Sequence, residues 1–298
     1  MSTVQILDGG MGRELQRIGA PFRQPEWSAL ALIEGPDYVR QAHASFIEAG
    51  AKVITTNSYA VVPFHLGEDR FAERGLELAA LAGKLAREAA GSGDVKVAGS
   101  LPPALGSYRP DLFDHGRSVA IHRVLAEGLR PYVDFWLAET QSSIAEIRAA
   151  AEAVRGDGKP LWVSFTLADD PDEMLPVPAL RSGESVADGV RTARDLGAVA
   201  VLFNCSQPEV MEPALSVARD VAPELRLGVY ANAFPPQRKT AAANEELDEL
   251  RAEITEAAYV GWARRWVAAG ASIVGGCCGI GPDHIAGLSR AFSQRTGT

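Results

Sequence analysis

Cysteine is scarce in this chain: three residues among 298, at positions 205, 277 and 278. Basic charge is short as well, with 29 Lys and Arg against 38 Asp and Glu and a formal net charge of −9. That balance leaves no basic face to neutralise phosphates, so nucleic acid is not an expected partner. No apolar run reaches the roughly 18 residues of a membrane span, and the apolar tract at 260–274 is broken by Arg264 and Arg265. The opening residues, Met1-Ser2-Thr3-Val4-Gln5, lack the basic region and apolar stretch of a signal peptide. The simplest expectation is a cytoplasmic protein. There, thiols stay reduced, and clustered cysteines point to metal binding or catalysis more often than to disulfides. The five histidines show no metal-ligand spacing, and His284, just after Pro282 at an expected helix start, reads as a surface residue. No linker or break in composition divides the chain, so residues 1–298 read as a single domain, with 47% hydrophobic residues to build its core. No sequence stripe identifies an interface, so homo-oligomerisation stays open.

What is present is alternation. Eight short apolar runs, at 5–7, 52–56, 95–99, 134–138, 161–166, 199–204, 226–230 and 272–275, alternate with eight helix-like segments. The runs are β-branched or continuously apolar, as strands buried on both faces are. Pro36 suits the first turn of one helix, with Val39, Ala42 and Phe46 on one face and Gly50 as its stop. Ile121, Leu125 and Leu129 mark a second inward face, ending before Pro131, and Ile144, Ile147, Ala151 and Val154 a third, closed by Gly156. Such alternation predicts a parallel sheet with right-handed crossovers. Eight units predict an α/β fold of the closed, single-domain (β/α)8 TIM-type barrel class. Three long connections, 101–114, 168–183 and 233–249, follow strand carboxyl ends. That is the catalytic face of a barrel, so these loops are expected to shape or cover a pocket.

The cysteines fall on that face. Cys205 ends the sixth strand, and Cys277 and Cys278 end the eighth. Only one strand separates the two ends in a closed barrel, so the thiols can converge. Side chains alternate along a strand, so adjacent cysteines point the same way only where the strand has ended. Gly275, Gly276 and Gly279 supply the backbone freedom for that. Three readings are open: a zinc site with three protein sulfurs and a fourth position for substrate, three inert buried thiols, or a vicinal disulfide. Asp8 and Glu139 end the first and fourth strands, where two carboxylates can pair with an α-ammonium group or serve as a turn cap and an ion-pair partner. Gly9, Gly10 and Met11 form a loop whose N–H groups can hold a carboxylate. Asn57 and Asn204 also end strands, and either bind substrate, orient a cysteine or satisfy local backbone. Trp27 and Tyr59 are candidate walls for a cation.

The ordered motifs resemble those of the homocysteine S-methyltransferase family. They are Asp8-Gly9-Gly10-Met11-Gly12, Pro25-Glu26-Trp27-Ser28, Thr55-Thr56-Asn57-Ser58-Tyr59, Ala138-Glu139-Thr140, Phe203-Asn204-Cys205 and Gly275-Gly276-Cys277-Cys278-Gly279. The resemblance spans nearly the whole chain and implies a zinc-dependent (β/α)8 barrel. By match of motif, Cys205, Cys277 and Cys278 would be the Zn²⁺ ligands, and Asp8 and Glu139 would lie at the homocysteine site. The chain departs from the family pattern at Leu101-Pro102-Pro103, Ala60-Val61-Val62-Pro63 and Ala233-Phe234-Pro235-Pro236. Those segments should shape the donor side, so the acceptor follows from the resemblance more firmly than the donor.

The implied activity is transfer of a methyl group from a small sulfonium or quaternary ammonium donor to L-homocysteine, giving methionine. Its partners are small molecules. The alternatives are methylation of another small thiol or selenol, and a non-catalytic zinc- or thiol-binding protein.

Overall fold

Eight parallel strands form one sheet in the order β1-β8-β7-β6-β5-β4-β3-β2. The computed structural model describes residues 4–170, 177–236 and 249–293. The strands are β1 (Gln5–Ile6), β2 (Val53–Thr55), β3 (Lys96–Leu101), β4 (Phe135–Gln141), β5 (Leu161–Phe165), β6 (Ala200–Asn204), β7 (Arg226–Tyr230) and β8 (Ile273–Val274). The two ends of that order meet at a parallel bridge between Leu7 and Val53. There the Lys52 N–H donates to the Ile6 carbonyl at 2.8 Å and the Asp8 N–H to the Val53 carbonyl at 3.0 Å. The barrel expected from the alternation is therefore present, and every strand lies where the sequence pattern puts it. Two strands run past their expected ends, so Glu139 lies within β4 rather than after it.

Among the described residues, eight helices form the outer layer: α3 (Pro36–Glu48), α5 (Glu68–Ala90), α6 (His115–Leu129), α7 (Ile144–Ala153), α8 (Val186–Asp195), α9 (Met211–Val221), α10 (Glu256–Ala268) and α11 (Pro282–Ser293). Three shorter ones, α1 (Met11–Arg17), α2 (Ala29–Glu34) and α4 (Pro63–Leu66), sit in the connections after β1 and β2. The sequence pattern had no signal for them, because each is two turns or less. Local chemistry sets the helix starts. Ser143 and Glu146 form a reciprocal capping box on α7, and Asp114, Ser185 and Thr255 accept from first-turn amides of α6, α8 and α10. Each such cap contributes about 1 kcal/mol. Pro36 opens α3, and Val39, Ala42 and Phe46 are buried on it as expected.

Two apolar cores follow from strand periodicity. The larger lies between sheet and helices and includes Phe46, Trp136, Phe165, Phe203 and Trp266. The smaller fills the barrel, with Leu7, Val53, Ala98, Phe135, Leu137, Trp162, Leu202, Tyr230 and Ile273. Side chains on one strand face recur every second residue. The inward row that begins with Ala98, Leu137, Trp162 and Leu202 therefore continues with Ser100, Glu139, Ser164 and Asn204. Hydrogen bonding agrees: Ser100 Oγ and Tyr230 Oη donate to Glu139, and Ser164 Oγ donates to Asn204 Oδ1. The barrel interior thus turns from apolar to polar one step before the strands end.

Of the three long connections, residues 171–176 of the second and 237–248 of the third lie outside the described residues.

Candidate active site

A cavity of about 140 Å³ opens at the carboxyl ends of the strands. Among the residues anticipated from sequence, Asp8, Gly9, Gly10, Met11, Asn57, Glu139, Cys205, Cys277 and Cys278 line it, and so do Trp27 and Tyr59. Asn204 does not join them. Its Oδ1 accepts from the Thr140 N–H at 3.0 Å and from Ser164 Oγ at 2.7 Å, and its Nδ2 donates to Thr140 Oγ1 at 2.8 Å. Those bonds lie inside the barrel, where Asn204 braces Thr140. His284 is likewise no ligand. It is partly buried, and its Nε2 pairs with the Ile254 carbonyl at 2.9 Å.

The three cysteines are free thiols, so there is no vicinal disulfide. Their sulfurs all lie within 4.8 Å of one another, close enough to share one metal ion. Cys205 and Cys277 Sγ approach to 2.9 Å. Hydrogen bonds from Cys277 and Cys278 hold the Cys205 thiol well below its ordinary pKa, and those same bonds hold Cys277 and Cys278 above theirs. A soft, trigonal set of sulfurs beside an open cavity suits Zn²⁺ with one position left over. The close approach needs special backbone. Gly10 packs so tightly on the eighth-strand loop that a Cβ there would lie 2.5 Å from the Cys277 carbonyl oxygen, and Gly279 turns with φ +82°. Cys205 itself sits at φ +52°. Trp27, Tyr108 and Thr140 are the other non-glycine residues with positive φ among the described residues, and all of them line the cavity. Backbone strain concentrated at one site in this way marks a functional centre.

The carboxylates are both buried and perturbed. Asp8 accepts from the Thr55 N–H at 2.7 Å and from Thr55 Oγ1 at 3.3 Å. It therefore braces β2 and does not cap the glycine turn. Burial outweighs those bonds and raises its pKa to about 7. Glu139 accepts from Ser100 Oγ and from Tyr230 Oη, and burial, with the neighbouring Asp8 charge, raises its pKa to about 8. Asn57 donates Nδ2 to the Ser28 carbonyl at 3.0 Å, while its buried Oδ1 has no hydrogen-bond partner among the described residues. The Gly10 N–H is used on the Ile280 carbonyl at 2.9 Å, so that amide of the glycine loop is not available to a ligand.

Sequence reasoning missed several lining residues. Arg13, in α1, is the one guanidinium lining the cavity among the described residues, with its Cζ 5.6 Å from the Phe234 ring centroid. His65, Tyr108, Thr140 and Phe234 line it too. Tyr108 and Phe234 come from two of the three long connections, as anticipated for loops on this face. Arg13 stands directly after the glycine motif, and that position was the only available signal.

Comparison with known proteins agrees with this geometry. The family model for homocysteine S-methyltransferase matches residues 5–292. The homocysteine S-methyltransferase of Escherichia coli is 32% identical over 310 residues, covering 96% of this chain and 94% of that protein. The selenocysteine methyltransferase of Astragalus bisulcatus is 27% identical over 334 residues, covering 97% and 92%. The crystal structure of the E. coli homocysteine methyltransferase MmuM in its metallated form superposes with a TM-score of 0.77 at 29% identity, covering 97% of this chain and 96% of that one. With a whole-length family match and a barrel whose strand ends carry the cysteine cluster, this chain belongs to the homocysteine S-methyltransferase family and is a methyltransferase.

Proposed function

We propose that the protein transfers a methyl group from a small sulfonium or quaternary ammonium donor to the thiol of L-homocysteine, giving methionine, with Cys205, Cys277 and Cys278 holding Zn²⁺. The observation that carries this reading is one cavity that holds three convergent thiols together with the Asp8–Glu139 pair. When bound, zinc supplies a Lewis acid that keeps a thiol deprotonated at neutral pH. Three cysteine thiolates surround that position with excess negative charge, which favours an electron-rich acceptor sulfur and a cationic donor.

The remaining residues bind and orient. Asp8 and Glu139 face the α-ammonium of the acceptor, and their ionisation is restored by that charge. The unpartnered Asn57 Oδ1 accepts one of its N–H bonds. Trp27, Tyr59, Tyr108 and Phe234 wall the donor side, where aromatic faces attract a methyl cation carrier. Arg13 offers a carboxylate partner on the same side, beside Phe234. In the reaction the acceptor sulfur forms a bond to the methyl carbon as the donor bond breaks. The electron pair leaves with the donor, which departs neutral at sulfur or nitrogen. The thiol proton is already lost on binding, so no side chain is required as a base in the methyl-transfer step.

The test uses reduced, zinc-loaded protein with L-homocysteine and a donor panel, reading methionine by mass spectrometry. S-methylmethionine, S-adenosylmethionine, betaine, dimethylsulfoniopropionate and methyltetrahydrofolate make up the panel. Methionine from one donor supports the reading and names the donor; none from any donor, with zinc confirmed bound, refutes it. A second reading, methylation of a selenol, has specific support in the likeness to the Astragalus bisulcatus enzyme. Homocysteine and selenocysteine competing in one assay separate the two.

A further inference from the structure

Arg181 and Asp169 form an ion pair in the connection after β5, Nη2 to Oδ1 at 2.9 Å, with side-chain exposures of 3% and 0%. Burying two charges is costly, and apolar residues of similar size often serve the fold as well or better. What this pair touches accounts for its presence. Arg181 Nε donates to Thr166 Oγ1 at 3.3 Å, and Thr166 Oγ1 donates to the Cys205 carbonyl at 3.3 Å. The Arg181 guanidinium also lies 4.4 Å from the Tyr108 ring centroid, and Tyr108 Oη donates to that same Cys205 carbonyl at 3.2 Å. On the other side, Asp169 Oδ2 accepts the Gln207 N–H at 3.2 Å, two residues beyond Cys205.

Three loops therefore meet at the two peptides that follow Cys205. The connection after β3 supplies Tyr108, that after β5 supplies Asp169 and Arg181, and that after β6 supplies Cys205 and Gln207. Cys205 has a left-handed backbone, φ +52°, which a non-glycine residue keeps only where its surroundings over-determine it. The Cys205 carbonyl held by Thr166 and Tyr108 and the Gln207 amide held by Asp169 fix the chain on either side of Ser206, directly after that residue.

We infer that the Arg181–Asp169 pair is a positioning unit for Cys205. It holds the left-handed turn so that this sulfur faces Cys277 and Cys278. Arg181 acts through Thr166 and Tyr108 and touches neither substrate nor metal. The inference rests on the reading of the three cysteines as a metal site.

The test measures zinc affinity by chelator competition, with the melting temperature of the zinc-free protein as the readout of fold. In the double variant Asp169→Leu with Arg181→Met, zinc affinity is expected to fall roughly 10- to 100-fold, while the zinc-free protein still folds, with a melting temperature lowered only by the unpaired Gln207 N–H. In Arg181→Lys the charge remains, but the planar fork that bonds Thr166 and stacks on Tyr108 is lost. It is expected to weaken zinc by about tenfold, and it decides the matter if the double variant does not fold. Wild-type zinc affinity in the folded double variant, or in Arg181→Lys, overturns the inference. A wild-type protein that binds no zinc refutes the metal reading itself, an outcome distinct from wild type and variants binding equally tightly.

Discussion

Glu139→Gln, studied as a function of pH, probes the acceptor site most directly. Burial is the main cause that raises the Glu139 pKa to about 8. At pH 7 roughly one molecule in ten has it ionised, and ionising the rest costs about 1.4 kcal/mol per pH unit below the pKa. An α-ammonium pairs with the ionised form. Acceptor binding should therefore strengthen as pH rises through 8, by about tenfold between pH 7 and 9. Removing one partner of a buried, hydrogen-bonded charge pair costs about 2–5 kcal/mol. Glutamine keeps an acceptor oxygen, so the lower end applies, roughly a 30- to 100-fold loss at pH 9. At pH 7 the wild type already bears the cost of ionisation, and the loss should shrink to about 3- to 10-fold. The assay is the homocysteine dissociation constant, by calorimetry on zinc-loaded protein. Taking the ratio of variant to wild type at each pH cancels the ionisation of the ligand itself. A ratio that is flat across pH 7–9, or equal binding by the two proteins, would refute the reasoning.

Cys→Ser at 205, 277 or 278 should lower zinc content and abolish turnover; full activity in a zinc-depleted variant contradicts the assigned ligands. Gly10→Ala places a methyl 2.5 Å from the Cys277 carbonyl oxygen. It should cost about 1–3 kcal/mol by overpacking, read in the melting temperature, and should weaken zinc. Arg13→Gln should raise the KM of a carboxylate-bearing donor by about tenfold, roughly the worth of a lost charge-assisted bond, and leave the homocysteine KM unchanged. His43, fully buried in α3 with both ring nitrogens unpartnered among the described residues, is a stability defect. His43→Leu should gain about 1 kcal/mol, or roughly 2–4 °C in melting temperature; a lower melting temperature would contradict this.

The eight runs and their helices were legible in the sequence because a strand buried on both faces must be apolar throughout and a covering helix must carry an apolar stripe. That alternation admits few topologies, and a closed barrel sends every strand end to one face. The sequence therefore also placed Asp8, Asn57, Glu139 and the three cysteines on that face. It could not set the phase of the strands. A run such as that containing Ala138, Glu139 and Thr140 is buried on both sides, so only packing decides that Glu139 points inward with Ser100 and Tyr230. Nor could it separate Asn57, which lines the cavity, from Asn204, which uses its amide on Thr140 and Ser164. Both are asparagines at strand ends, and their roles differ only through neighbours distant in sequence. The left-handed turn at Cys205 and its bracing by Arg181, Asp169 and Tyr108 are of the same kind. They join three loops whose residues have no shared local pattern. Local sequence determined the barrel and the ring of chemistry at its mouth, because both follow from periodicity. Tertiary structure decided which of those groups line the cavity and which hold others in place, because that depends on contacts between strands.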